Sequence, residues 1–469
     1  MSIKLRSALM PRAPFRRAAS TAVLACALLA GLSGPGSAQS LIEALSAAYE
    51  TNPTLLGARS RLRAVNESVP QALGGWRPSV EFKGAVGYAR DEVLEPPAPR
   101  VTEHLFPRKA ELAVTQPLID ATVGSAVAGA EDLVRAQRAV LADTEQTVLL
   151  RAAQAYVDVA QAQESLRLRQ ETEQLLAGEV DNIERRLRIN EATVTDLDQT
   201  LSRLAGARAD TATALAQLNQ SRKDFRLVTG IEPGALPMPG ALGGLPAGLE
   251  SAVAEAREAN PNVIAAGFQE RAAREDVARA LGSLYPTLGL TGSLTQNHET
   301  LSEDSEETIA SVGLAVTVPL YQQGVVSSGV REAKETASQR RLATEQARRD
   351  AEQSADQAWQ SLTAATSRLH TFREQVDLAY RALEGVRREY RLGDKTVDDL
   401  LDQIQELKEA ELGRVAAERD EVLAGFQLLS AVGRLHAGEL GLPVALYDPE
   451  LDYRRVRNAW FGLEAAGTD

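Results

Sequence analysis

The chain has one cysteine, Cys26, in 469 residues. With no second thiol to pair with it, disulfide bonds play no part in holding the protein together. Aromatic residues make up only 4% of the chain, too few for a large globular core, whereas the abundant alanine suits long helices packed closely through small side chains. The four histidines, His104, His298, His370 and His436, are scattered, and none has a metal-ligating neighbour at helical spacing. The longest strongly apolar run, Thr21–Leu32, falls short of the ~20 residues that a membrane-spanning helix needs. Aspartate and glutamate (64) outnumber lysine and arginine (51) for a formal net charge of −13. Phosphate binding needs clustered cations, so nucleic acid is not the expected partner. Nucleophile elbow, phosphate loop, dinucleotide fingerprint and zinc motif are all missing, so neither an enzyme nor a cofactor is expected.

The apolar run belongs to an amino-terminal export signal over residues 1–38. Lys4, Arg6, Arg12, Arg16 and Arg17 form its basic region, Ala22–Leu32 its apolar region, and Gly36, Ser37 and Ala38 its small-residue cleavage site. A rival cleavage before Cys26, as in a lipoprotein, fits less well because the apolar region continues past that residue. The signal carries five basic residues and no acidic one, so its removal takes the net charge from −13 to −18.

What the chain does have is a long internal repeat. Asn52 and Pro53 recur as Asn260 and Pro261, and GGWRPSV at Gly74–Val80 recurs as GSLYPTL at Gly282–Leu288, both at an offset of 208. TQPL at Thr115–Leu118 recurs as TVPL at Thr317–Leu320, offset 202. RINEATVTDLDQ at Arg188–Gln199 recurs as RLGDKTVDDLLD at Arg391–Asp402, offset 203. Two copies of one unit, 39–236 and 248–443, are therefore expected, joined by a Gly/Pro-rich linker over 237–247 and followed by a tail over 444–469.

Each copy reads alike. The Asn-Pro pair supplies an N-cap and a proline at the first helical position, opening a helix of about two dozen residues that stops at Pro78 or Pro286. Period-two alternation follows. Val80, Phe82, Val86 and Tyr88, then Ala110, Leu112 and Val114, mark a hairpin over about 79–117. Leu288, Leu290 and Leu294, then Val312, Leu314, Val316 and Val318, mark another over about 287–319. These strands have one apolar and one polar face, at roughly the 9–11 residues a tilted strand needs to cross a bilayer. The acidic stretch Gln296–Glu307 reads as a solvated loop between two of them. Beyond Pro117 and Pro319 the period turns helical. Val127, Val134, Leu141, Val148, Ala155 and Ala162 lie seven apart, and Val330, Ala337, Thr344, Ala351, Ala358 and Ala365 match them at offset 203. A sustained heptad stripe predicts coiled-coil-like helix pairs over about 122–228 and 323–431, with a first helix roughly 100 Å long.

Four strands cannot close a barrel, and an open sheet edge in lipid leaves backbone groups unpaired. Closure thus requires several copies. Export signal, duplicated unit, Asn-Pro openings, WRP and LYP helix ends, QPL and VPL joints and the RxxxxTVxDL motif together resemble the TolC family of outer-membrane efflux and type I secretion channels, over about residues 40–443. The resemblance implies an α+β membrane protein. Its homotrimer would form a 12-stranded outer-membrane β-barrel, four strands per chain, continued by a long periplasmic α-helical barrel. It further implies docking to a periplasmic adaptor and an inner-membrane ABC or RND transporter.

Thr193 with Asp196, and Thr396 with Asp399, fit the helix-start pattern in which a hydroxyl and a carboxylate satisfy free backbone donors. In the resemblance, Asp399 and Asp402 match two aspartates that ring the periplasmic aperture. Asp196, Tyr390 and Lys395 match a closing latch of acid, tyrosine and basic residue. Lys395 stands where the family has arginine, and a lysine cannot make the planar two-pronged bond. Gln199 stands opposite Asp402 in the first copy, which assigns the pore to the second. Trp76, at a helix–strand joint, reads either as a membrane-interface residue or as a packing one. The alternative to a channel is a periplasmic coiled-coil adaptor or scaffold without a pore. Drug efflux and protein secretion are not separated by these residues.

Overall fold

The computed structural model describes residues 39–93, 97, 101–300 and 302–463; the expected export signal lies outside them. Each copy contains one helix of 68 residues, α4 (Ala121–Arg188) and α8 (Val325–Leu392), each followed by a helix about half as long, α5 (Val194–Thr229) and α9 (Val397–Ala431). At 1.5 Å per residue the long helices span roughly 100 Å. Their heptad stripes face inward: Val134, Leu141, Val148, Ala155 and Ala162 on α4 are buried, as are Val330, Thr344, Ala351, Ala358 and Ala365 on α8. Among the described residues no helix is both long and apolar enough to cross a membrane.

Shorter helices complete each copy: α1 (Leu41–Thr51), α2 (Pro53–Asn66) and α3 (Ser68–Leu73) in the first, α6 (Leu249–Ala259) and α7 (Pro261–Gly282) in the second. The single helix expected after Asn52 is broken in the first copy. Pro70 has no N–H to offer the Asn66 carbonyl, so α2 ends at Asn66, α3 restarts at Ser68, and a 3-10 turn over Gly74–Trp76 leads out. The second copy has Ala278 at the matching position, offset 208, and α7 runs unbroken for 22 residues.

The Asn-Pro pairs are splice points. Asn52 Oδ1 accepts from Thr54 N (2.9 Å) while its Nδ2 donates to Val228 O (2.9 Å) at the end of α5. Asn260 repeats this with Asn262 N (2.9 Å) and Ala431 O (3.0 Å). The end of α5 thus abuts the start of α2, and the end of α9 the start of α7. Close approach here demands glycine at Gly433. Its φ is +82°, and a Cβ would sit 2.3 Å from Ala259 O, in a left-handed conformation that only glycine adopts freely.

The strands form a four-stranded antiparallel sheet in the order β1 (Ser79–Val86), β4 (Arg108–Ile119), β5 (Thr287–His298), β6 (Glu306–Thr317). The two copies meet at the β4–β5 pair, where Leu112 faces Leu294 and Glu111 faces Thr295. A separate ribbon, β2 (Ala89–Val93) with β3 (Val101–Leu105), extends the first hairpin. The tail carries one more helix, α10 (Pro449–Val456). Register sorts the side chains onto two faces. Val80, Phe82, Val86, Leu112, Val114, Leu290, Leu294, Val312, Leu314 and Val316 share one, all exposed. Ser79, Glu81, Lys83, Lys109, Glu111, Thr291, Ser293, Thr295 and Ser311 share the other. Neither β1 nor β6 has a partner on its outer side among the described residues.

The main core sits midway along the helices, where α1 and α2 pack on α4, α5 and α9 through Leu45, Leu55, Leu62, Leu149, Phe225 and Phe426. Tyr156 lies there too, its hydroxyl 2.9 Å from Gln39 O and 3.1 Å from Pro237 O. It thereby ties the start of the first copy to the linker, and burial pushes its pKa up to about 12.

Candidate functional site

Far from the sheet, all four long helices end together. Leu176, Val180 and Ile183 of α4, Leu204 and Ala207 of α5, Leu383 and Tyr390 of α8, and Leu400, Leu401 and Ile404 of α9 form a second apolar cluster that holds the two turns side by side. The turns are built alike. Asn190 (φ 59°) and Gly393 (φ 86°) are 203 residues apart, and both take the left-handed conformation. Glu191 N and Asp394 N donate back to Arg186 O (2.8 Å) and Glu389 O (3.0 Å), closing the end of each long helix.

The next helix opens at once. Thr193 Oγ1 accepts from Asp196 N (3.1 Å) and Thr193 N donates to Asp196 Oδ2 (2.8 Å). Thr396 and Asp399 repeat the exchange at 3.2 and 2.9 Å, and Thr396 Oγ1 also donates to Asp399 Oδ2 (2.8 Å). These reciprocal caps satisfy donors that helix starts leave free. They also hold the Asp399 carboxyl below the usual carboxylate value, with Lys395 adding its charge.

Lys395 Nζ lies 3.4 Å from Asp399 Oδ1, one turn away on its own helix end. Asp402 reaches across to α5, where Arg203 Nη2 is 2.6 Å from its Oδ1. Tyr390 is buried, with the Arg186 guanidinium 4.8 Å over its ring, and its hydroxyl has no hydrogen-bond partner among the described residues. Burial raises the Tyr390 pKa, and the nearby Glu179 and Asp196 carboxylates push the same way against Arg186. Arg186 in turn donates to Glu191 O (3.3 Å). Within one chain, Asp196, Tyr390 and Lys395 therefore stand around the same tip without bonding to one another.

Arg186 and Arg203 are functional candidates that the repeat alone does not single out. One signal exists: Arg186 matches Glu389 and Arg203 matches Glu406 at offset 203, so the copies carry opposite charges at equivalent positions of facing helices. A further ionic seam ties α4, α5 and α9 above the tip, with buried Lys408 3.0 Å and Arg169 2.7 Å from Asp210.

Comparison with known proteins agrees with this architecture. Over 459 residues the chain is 32% identical to the outer membrane efflux protein BepC of Brucella suis biovar 1, covering 95% of this chain and 97% of that one. It is 23% identical over 431 residues to the outer membrane protein TolC of Escherichia coli K12, covering 88% and 86%. Among solved structures, the CmeC outer membrane channel of Campylobacter jejuni superposes with a TM-score of 0.77 at 13% identity, over 97% of this chain and 98% of that one. CusC superposes with a TM-score of 0.75 at 17% identity, over 84% and 92%. The sequence model of the outer membrane efflux protein family matches residues 44–230 and again 252–434, one match per copy. The chain belongs to that family, whose members are channels rather than enzymes.

Proposed function

We propose that three copies of this chain close into one duct through the sheet, which is the observation that carries the reading. Its outward face is apolar, and β1 and β6 are edges without partners among the described residues. Unpaired backbone groups in lipid cost several kcal/mol each, so β1 of one copy pairs with β6 of the next. Two copies would give eight strands and an interior nearly filled by side chains, whereas three give twelve and leave a pore. The chain is the outer-membrane exit channel of a tripartite export system and extends into the periplasm. It conducts passively what an inner-membrane transporter delivers, small toxic compounds or secreted proteins. A scaffold without a pore has no use for paired membrane-length strands.

At the tip, Asp399 and Asp402 from three copies would give six carboxylates around the aperture, a ring that favours cations. Asp196, Tyr390 and Lys395, already gathered there within one chain, would latch neighbouring helix pairs shut. A periplasmic adaptor, backed by an ABC or RND pump, would open the latch on docking. Arg203 adds a feature of this chain. It pairs with Asp402 while Lys395 sits beside Asp399, so each carboxylate of the ring has a cationic partner from its own chain.

Single-channel recording of the purified protein in a planar bilayer tests this. Discrete cation-selective steps blocked by multivalent cations are expected, with block weakened at least tenfold by Asp399→Asn/Asp402→Asn and strengthened by Arg203→Ala. Steps whose selectivity and block ignore all three substitutions would return these residues to the solvated surface. No steps from membrane-inserted protein would overturn the channel itself.

A further inference from the structure

The carboxy-terminal tail runs along α4 toward the sheet. Glu450 pairs with Arg138 of α4. One turn on, Tyr453 Oη and Arg457 Nη2 both reach Glu131 (3.4 and 3.0 Å), two turns nearer the sheet end of α4. Asp452 accepts from Asn66 Nδ2 (2.9 Å), and both side chains are buried. Arg77 then donates to Ala459 O (2.7 Å) and stacks its guanidinium 5.0 Å over the Trp460 ring. Arg77 lies two residues before β1 begins, so Trp460 is held at the foot of the sheet.

Beyond that point the chain stops behaving like a packed tail. Trp460 is 59% exposed, Phe461 93% and Leu463 fully so. These are three large apolar side chains in four residues. Exposed Trp76 precedes Arg77, and its carbonyl accepts from Gln116 Nε2 (2.8 Å). Two residues after Gln116 come the exposed Leu118 and Ile119 at the end of β4, where the apolar face of the sheet starts. The arginines of α10 and its C-cap already have acidic partners: Arg454 with Glu450, Arg455 with Asp452 and Arg457 with Glu131. Charge is therefore not what this segment offers. A large aromatic ring at the end of a lipid-facing strand is suited to the boundary between headgroups and acyl chains.

We propose that Trp460, Phe461 and Leu463 insert into the periplasmic leaflet of the outer membrane, so that the tail anchors each copy to lipid beside its strands. The proposal rests on the sheet's apolar face being lipid-facing, and the test separates the two. The chain has three tryptophans, Trp76, Trp359 and Trp460. In Trp76→Phe/Trp359→Phe, Trp460 alone reports. The control Phe82→Trp, made with all three native tryptophans changed to Phe, reports from the lipid face of β1. Both are reconstituted in bilayers with lipids brominated near the headgroup end of the acyl chain, and probed in parallel with aqueous iodide.

Bromolipid should remove more than half of the Trp460 emission, and iodide little of it. Quenching of Trp460 by iodide but not bromolipid, while the control is quenched by bromolipid, would place the tail in water. Protection from both quenchers would mean that a neighbouring copy covers it. Either result overturns the proposal and leaves the barrel standing. A control that bromolipid does not reach would overturn the membrane placement of the sheet, and the anchor with it.

Discussion

At the scale of single residues, the tip is a set of short polar exchanges on top of an apolar cluster. Asp399 illustrates how one carboxylate serves two ends. Its bonds from Thr396 cap α9, and its other oxygen lies 3.4 Å from Lys395 Nζ. Those bonds favour the ionised form, so its folded pKa lies below the ordinary value of 3.8. The sign follows from linkage. The cap's stabilisation is fully present above 3.8 and is lost as pH falls through the lower folded value. Multivalent-cation block should accordingly persist unchanged from about pH 7 down to about 4.5 and fade only below the ordinary carboxylate range. A titration of block against pH in single-channel recordings checks this, and a midpoint near ~6, the histidine range, would assign the effect to another group. Little of the tip's pairing was legible in the sequence beyond the caps. The caps are local, three residues apart, and carry their own pattern. Arg203–Asp402 joins residues 199 apart and needs the packing of α5 against α9 to be known first. Tyr390 with Arg186 has the same character, a contact that exists only once α4 and α8 end side by side.

At the scale of elements, the repeat and the change of period carried most of the information. The strands and long helices follow from alternation and heptads that any reader of the chain can count. The elements that escaped are those with weak or interrupted patterns. Helix α1 begins with a full capping box, Ser40 with Glu43, a signal present in the sequence but lying upstream of the Asn-Pro pair from which each copy's opening helix is read. Ribbon β2–β3 carries charged residues on both faces and no apolar alternation. The break between α2 and α3 turns on Pro70 alone. The splice residues give a quantitative expectation. Asn52 and Asn260 each cap one helix while donating to a carbonyl at the end of another. Asn52→Ala or Asn260→Ala should thus cost more than an ordinary cap, about 2–3 kcal/mol. Urea titration of the detergent-solubilised protein reads this directly, and a loss under about 0.5 kcal/mol, the low end for a single cap, would show that water replaces the amide without penalty.

At the scale of the whole molecule, two environments meet in one chain, and each leaves its mark on the same sheet. Alternate residues of β6 face lipid and pore. Val312→Lys places a charge on the apolar face, for which the cost at mid-membrane is ~2–4 kcal/mol, whereas Ser311→Lys next to it adds a charge to a polar lumen. The first should sharply reduce the yield of SDS-resistant trimer and the second should leave it near wild type. Equal yields would mean that the faces are assigned the wrong way round. Assembly also completes what one copy cannot. Edge strands β1 and β6, with every residue exposed, are finished only by a neighbour.

The splices at Asn52 and Asn260 have a mechanical meaning. Each copy sets an uninterrupted 68-residue helix beside a column whose helices abut at mid-length, joined by side-chain bonds from an asparagine and, in the first copy, seated in the main core. The continuous helix acts as a spine, and the splice is a break in the neighbouring column's backbone hydrogen-bond ladder. A twist applied at the tip would meet this break before it reached the strands.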